Sequence, residues 1–67
     1  MKISLAAARV NAGLTQNAAA KKANISVRML GFYESGEKFP KVDVLQRLCD
    51  AYGCTIDNIK ILPSDNA

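Results

Sequence analysis

The side chains best suited to bind a partner fall on one side of a short segment in the middle of the chain. At helical spacing this side carries a cation, an aromatic ring and two hydroxyl groups: Arg28, Phe32, Ser26 and Ser35. The opposite side carries two core residues and one acid: Leu30, Tyr33 and Glu34. Hydrogen-bond donors beside an apolar ring suit base edges in a DNA groove, so nucleic-acid contact is the leading interpretation.

Two short helices at a tight angle are needed to position this face. Thr15 can cap the first helix, which the four alanines between Gln16 and Ala23 favour. Asn24 tolerates the left-handed backbone conformation that a sharp turn requires. The second helix follows over about 27–34, and Gly36 ends it. A helix, a short turn and a second helix make a helix-turn-helix unit.

Three further helices are predicted around this unit. The first covers 2–12 and is capped by Ser4, and a short fifth one begins at Thr55 and runs to about Lys60. The fourth, Val42 to Tyr52, is strongly amphipathic, and its predicted buried face consists of Val42, Leu45, Leu48, Cys49 and Tyr52. Phe39 is expected to anchor the preceding loop. The fold class is therefore all-α.

Length and charge suggest a single domain with an anionic partner. The 67 residues include nine basic and six acidic ones, which gives a formal net charge of +3. Five basic residues lie in or beside the two-helix segment: Lys21, Lys22, Arg28, Lys38 and Lys41. We expect the domain to span 1–62 and the residues 63–67 to form a short tail.

Nothing in the sequence supports catalysis or metal binding. Histidine is absent, and Cys49 and Cys54 are the only cysteines, so one chain cannot supply four zinc ligands. No nucleophile with a base and no paired carboxylates are recognisable, so we expect no enzyme activity, cofactor or small-molecule ligand. No apolar run reaches the length of a membrane span, and we expect a cytoplasmic, nucleoid-associated protein without membrane contact.

From about Leu5 to Ile59 the chain carries a distinctive set of residues: Thr15, Gln16, Ala20, Ile25, Ser26, Leu30, Tyr33, Glu34, Gly36, Pro40, Leu45, Leu48, Tyr52, Gly53, Thr55, Ile56 and Asp57. This set resembles the Cro/repressor family of XRE-type, lambda-repressor-like helix-turn-helix domains. The resemblance implies a compact five-helix bundle that binds operator DNA as a homodimer, with the third helix in the major groove.

The resemblance also implies roles for individual residues. By position, the residues that read bases are Ser26, Val27, Arg28 and Phe32, and those that hold phosphates are Gln16, Lys38 and Lys41. Family members often carry an Arg–Glu pair at the positions of Arg9 and Glu34, where it braces the helix-turn-helix unit against the first helix. Arg9 lies beside the apolar stripe of that helix, and a cation there needs such a partner.

Two residues of the second motif helix leave alternatives open. Gly31, which costs about 1 kcal/mol relative to alanine, either lets this helix lie close to DNA or to a partner backbone, or is a tolerated weakness or an early end of the helix. Phe32 either touches thymine methyl groups, folds onto Val27 or binds a protein.

The expected function is a sequence-specific transcriptional repressor that binds double-stranded DNA at an inverted-repeat operator. The alternative is a protein-interaction module or antitoxin with the same fold.

Overall fold

The computed structural model describes residues 2–60, which form a bundle of four α-helices. They are α1 (Leu5–Asn11), α2 (Gln16–Ala23), α3 (Val27–Ser35) and α4 (Val42–Tyr52), followed by one 3₁₀ turn at Ile56–Asn58. The all-α class is confirmed, but the prediction of five helices is not. Among these residues no helix is long and apolar enough to cross a membrane. The predicted tail at 63–67 lies outside the described residues.

Hydroxyl and amide side chains fix the helix-turn-helix unit. Thr15 Oγ1 accepts from the Ala18 N–H at 3.1 Å at the start of α2. The turn after α2 depends on Asn24, which is left-handed at φ 59° and ψ 46°. Ser26 Oγ accepts from the Met29 N–H at 3.0 Å and so caps α3. Each cap satisfies a backbone donor that the first helical turn would otherwise leave unpaired.

The first helix is shorter than predicted, because it begins at Leu5 instead of Lys2. Ile3 is extended and forms an isolated parallel bridge with Ile59. The Ile3 N–H donates to the Asn58 carbonyl at 2.9 Å, and the Lys60 N–H donates to the Ile3 carbonyl at 2.8 Å. Backbone groups engaged in this bridge are not available for a helical turn, so α1 starts after Ile3.

The same bridge explains why the predicted fifth helix is only one turn. Asn58 Oδ1 accepts from the backbone N–H and the hydroxyl of Thr55 at 3.3 and 3.0 Å. This closes a compact turn over Ile56–Asn58. Ile59 then becomes extended at φ −97° and ψ 130° to reach Ile3, and its side chain is 2% exposed. A longer helix would remove Ile59 from both the bridge and the core.

The core lies where α2 packs against both α3 and α4. Its most buried members include Ala19, Ala23, Leu30, Leu48 and Cys49, each 0% exposed. Alanine side chains on α2 allow a neighbouring helix to approach its backbone closely. Arg47 of α4 uses this proximity, since its Nε donates to the Ala23 carbonyl at 2.9 Å. A hydrogen bond from α4 thereby satisfies a carbonyl at the end of α2.

Two apolar residues near the start of α4 are exposed instead of buried. Val42 was predicted on the buried face, but its side chain is 74% exposed. It occupies the first helical position and lies at the edge of the arc that Leu45, Leu48 and Tyr52 bury. Phe39 was predicted to anchor the loop, yet it is 58% exposed.

Candidate nucleic-acid interface

The helix α3 has one buried side and one accessible side. Leu30 is 0% exposed, and Tyr33 packs against the core beside it. On the other side Arg28 and Ser35 are exposed, Phe32 is half-buried, and Val27 is 39% exposed. The predicted base-contacting residues on α3, which are Val27, Arg28 and Phe32, therefore share one accessible face. We call it the outward face, and it also includes Gly31 and Ser35.

Ser26 stands at the edge of the outward face, immediately before α3 begins. It is exposed, and its hydroxyl oxygen accepts the Met29 N–H. A hydroxyl group keeps a donor proton when its oxygen accepts one hydrogen bond. Ser26 can therefore cap the helix and still donate to a ligand.

Phe32 lies close to two cations that come from different parts of the chain. The guanidinium carbon of Arg28 is 5.7 Å from the ring centroid. The ammonium nitrogen of Lys38 is 5.5 Å from the same centroid. Both distances are within the range of cation–π attraction. Sequence reasoning missed both contacts, although the four-residue spacing of Arg28 and Phe32 on one helix could have suggested the first.

The turn after α3 brings Lys38 back to the ring. Gly36 is left-handed at φ 85°, a conformation that favours glycine. The N–H groups of Gly36, Glu37 and Lys38 all donate to the Phe32 carbonyl, the last two at 3.0 and 3.3 Å. Because this carbonyl lies at the negative end of the α3 dipole, a nearby lysine is also favourable electrostatically.

A polar cluster on the inner side of α3 joins three helices, and we call it the brace: Arg9, Leu14, Gln16 and Glu34. Arg9 Nε donates to Glu34 Oε2 at 2.7 Å, and its Nη1 donates to the Leu14 carbonyl at 2.9 Å. The side chains of Arg9 and Glu34 are only 16% and 8% exposed. The hydrogen bond to Glu34 raises the pKa of Arg9, so this guanidinium stays charged.

Gln16 belongs to the brace as well, although sequence reasoning placed it on a DNA phosphate. Its Nε2 donates to Glu34 Oε1 at 2.9 Å, and the residue is half-buried. Within residues 2–60 the Gln16 side chain is therefore hydrogen-bonded to Glu34. It forms no hydrogen bond with Lys38 or Lys41, the two lysines predicted to bind phosphates. A side-chain amide has two N–H donors, so one remains for a further acceptor.

Lys41 marks the start of α4, where a helix end lacks a side-chain cap. Lys41 is the residue before the first turn, it is exposed, and no side-chain hydrogen bond caps this helix end. Asp43 Oδ1 accepts from the Val44 N–H at 2.9 Å. The remaining first-turn N–H groups and the lysine charge favour an anion.

Two buried titratable groups, Tyr52 and Cys49, lie in the last turn of α4. Burial raises the pKa of Tyr52 to about 12, with the Glu34 carboxylate adding to it. The Tyr52 hydroxyl has no hydrogen-bond partner among the described residues. Burial also raises the pKa of the fully buried Cys49 thiol to about 12. Cys54 is half-buried, and both cysteines are free thiols.

Within residues 2–60 no cluster of histidine, cysteine or acidic residues could hold a metal ion.

The fold and its accessible α3 define a helix-turn-helix domain. A protein-family model described as Helix-turn-helix matches residues 5–59, which is most of the chain. The protein therefore belongs to the Cro/repressor (XRE-type) helix-turn-helix family, a family of DNA-binding regulatory domains. Comparison with curated proteins and with solved structures gives no significant match.

Proposed function

We propose that this protein is a sequence-specific regulator of transcription that inserts α3 into the major groove of double-stranded DNA. The observation that carries the proposal is the state of Arg28 on the outward face. Within residues 2–60 its guanidinium makes no hydrogen bond or ion pair, and its neighbour is the Phe32 ring. Its donors are therefore available for a guanine, which arginine contacts through two hydrogen bonds.

The other base-contacting residues have complementary chemistry. Ser26 supplies a hydroxyl at the start of α3. Val27 and Phe32 offer apolar surface to thymine methyl groups. Together with Arg28 they distinguish one base pair from another, whereas contacts to the DNA backbone only set position.

Phosphate contacts are assigned to Gln16, Lys38 and Lys41. The second amide N–H of Gln16 can donate to a phosphate oxygen while Glu34 holds the first. Lys38 lies beside the outward face, and Lys41 lies at the uncapped start of α4. A positive charge combined with free N–H groups is a favourable environment for a phosphate.

We further propose that a homodimer binds an inverted-repeat operator and represses transcription by blocking polymerase. Two copies of α3 would then lie about 34 Å apart, one turn of the duplex. Selection of bound duplexes from a random pool tests this proposal directly. It should return a conserved inverted repeat with half-sites about one helical turn apart. Recovery of random sequences at every salt concentration would refute sequence-specific binding.

Variants at Arg28 and Lys41 separate the two kinds of contact. Arg28→Ala should reduce the preference for the selected duplex over random DNA by about 10-fold to 100-fold, as expected for loss of a bidentate base contact. Lys41→Ala should weaken binding to all duplexes alike and lower the slope of log affinity against log salt by about one. Fluorescence anisotropy over a salt series measures both effects.

Lys22→Ala is the matched control, because Lys22 is an exposed cation beside Arg47 and Asp50 of α4. It removes the same charge without touching the outward face. Its effect on affinity should be smaller than that of either test variant. An equal loss on every duplex for Arg28→Ala would make Arg28 a phosphate contact.

A second candidate function is a protein-interaction module with this fold. The exposed apolar side chains of Val10, Phe39 and Val42 favour it, because they are 62%, 58% and 74% exposed. A protein that ignores every duplex at low salt, while its circular dichroism spectrum stays helical, would favour this function over DNA binding.

A further inference from the structure

We propose that Phe32 is a positioning residue whose ring holds Arg28 and Lys38 as one recognition unit. In this unit Arg28 reads a base and Lys38 binds a phosphate of the same half-site. The inference rests on the proposed function, because it assigns a role within the DNA interface. It differs from that proposal by making the effect of Phe32 on affinity depend on the two cations.

The ring is itself well placed to act as a fixed support. Phe32 is half-buried, and its backbone carbonyl accepts from three consecutive N–H groups of the following turn. The Ser35 hydroxyl donates to the same carbonyl at 3.1 Å. These hydrogen bonds connect the end of α3 to the segment that carries Lys38. The backbone of Lys38 therefore holds a defined position relative to Phe32 before any ligand binds, which keeps the lysine side chain within reach of the ring.

A cation–π contact positions a cation without using its hydrogen-bond donors. In the brace, by contrast, the Arg9 guanidinium donates hydrogen bonds to Glu34 and to the Leu14 carbonyl. Arg28 and Lys38 lie near the Phe32 ring and form no side-chain hydrogen bond or ion pair within residues 2–60, so their N–H groups stay available for acceptors on DNA. Ordering a long side chain in advance also lowers the entropy cost of binding.

The arrangement of charge indicates an anionic ligand. The two cationic centres lie no more than about 11 Å apart, since both are close to the same ring. Like charges at such a separation still repel each other, because it is about one Debye length at 0.1 M salt. A phosphate beside them relieves this repulsion, so the unit is best stabilised when DNA is bound.

A double-mutant cycle between Phe32 and Lys38 tests the dependence. On the selected duplex, Lys38→Ala alone should reduce affinity about threefold to tenfold, the loss of one ordered, charged contact. In a Phe32→Leu background the same substitution should cost less than about twofold, because Lys38 is no longer held. Phe32→Tyr keeps an aromatic face and should restore the larger effect of Lys38→Ala.

Losses that simply add would overturn the proposal, because Phe32 would then act on DNA by itself or not at all. A parallel double-mutant cycle between Phe32 and Arg28 should show the same coupling. Here the measured quantity is the preference for the selected duplex over random DNA. Coupling of Lys22→Ala with Phe32→Leu serves as the control and should be absent.

A measurement on the free protein separates this proposal from the proposed function. In the NMR spectrum, the side-chain protons of Arg28 and Lys38 should be shifted upfield by the ring current of Phe32. Phe32→Leu should remove the shifts, and Phe32→Tyr should keep them. Lys22 provides the unshifted reference. Absence of upfield shifts in the wild-type protein overturns the positioning role even if DNA binds. If the expected upfield shifts are present but the protein binds no DNA, the proposed function is overturned. The assignment of a DNA ligand to this unit is then overturned as well.

Discussion

The charged side chains at the two sides of α3 differ in whether they form hydrogen bonds within the protein. On the inner side, Glu34 is 8% exposed and accepts hydrogen bonds from Arg9 and Gln16. Arg28 on the outward face and Lys38 beside it lie near the Phe32 ring and form no side-chain hydrogen bond or ion pair within residues 2–60. The inner charges form hydrogen bonds within the protein. The donors of the outer charges stay available.

This difference separates the tasks of one short helix of nine residues. Hydrogen bonds of the brace connect α3 to α1 and to the start of α2, which fixes the orientation of α3. The outward face can then vary without disturbing that orientation. We therefore expect substitutions on the inner side to change stability and substitutions on the outward face to change binding. The following predictions test this separation.

The largest effect is expected for Glu34→Ala. Removal of this carboxylate leaves the Arg9 guanidinium, which is 16% exposed, without its charged partner. Breaking a mostly buried ion pair in this way typically costs about 3 kcal/mol in the free energy of unfolding. Urea denaturation measures the loss, which is a large fraction of the total stability expected for a domain of this size.

Two further variants make the Glu34 result specific. Asp43→Asn removes the negative charge of an ion pair with Arg47. The two charged groups are 3.8 Å apart, and the side chains of Arg47 and Asp43 are 43% and 73% exposed. Its cost should stay below about 0.5 kcal/mol. The double variant Arg9→Met with Glu34→Leu should lose less than Glu34→Ala, because no unpaired charge remains. Equal stability of Glu34→Ala and wild type would show that the brace does not hold α3.

A smaller effect is expected at alkaline pH, and it also belongs to the inner side. Tyr52 and Cys49 have pKa values raised to about 12, above their ordinary values of 10.0 and 9.0. The unfolded chain therefore loses these protons first, so the free energy of unfolding falls as pH rises from about 9 towards 12. Denaturation at several pH values should give a shallower decline for Tyr52→Phe.

At neutral pH the same variant tests the state of the Tyr52 hydroxyl. This buried group has no hydrogen-bond partner among the described residues. Its removal should leave the free energy of unfolding unchanged or raise it by up to about 1 kcal/mol. A loss greater than about 1 kcal/mol would mean that the hydroxyl makes a stabilising contact. Binding to DNA should not change, since Tyr52 is remote from the outward face in sequence and is buried.

Local sequence signals were sufficient for the parts of the fold that local chemistry decides. Thr15 and Ser26 could be assigned as caps, because hydroxyl groups there satisfy free N–H groups. Asn24 could be assigned to a left-handed turn for the same kind of reason. The pairing of Arg9 with Glu34 came from the family resemblance and from the need of a half-buried cation for a partner.

Contacts between distant segments could not be predicted from these signals. The bridge of Ile3 to Ile59 shortens both terminal elements, yet neither residue signals it alone. Arg47 appears in the sequence as an ordinary exposed charge, although it caps the end of α2 at the Ala23 carbonyl. The approach of Lys38 to Phe32 depends on the exact path of the turn after Gly36.

The sharpest test of the two-sided view is Gly31→Ala, for which we expect a small gain in stability. Gly31 lies on the outward face, and a methyl group built there would meet nothing within 4 Å beyond its own helix and chain neighbours. Packing within the described residues therefore does not require a glycine. Because alanine is the better helix former, the free energy of unfolding should rise by about 0.5–1 kcal/mol.

Binding should change in the opposite direction for the same substitution. If the outward face lies against DNA, the added methyl group enters the contact surface and should lower affinity for the selected duplex. Thermal denaturation and anisotropy on one protein preparation measure both quantities. A variant that is more stable and binds as well as wild type would show that Gly31 is only a tolerated weakness. A variant that gains stability and loses affinity would demonstrate that the glycine serves a partner, because the protein itself has no need of it.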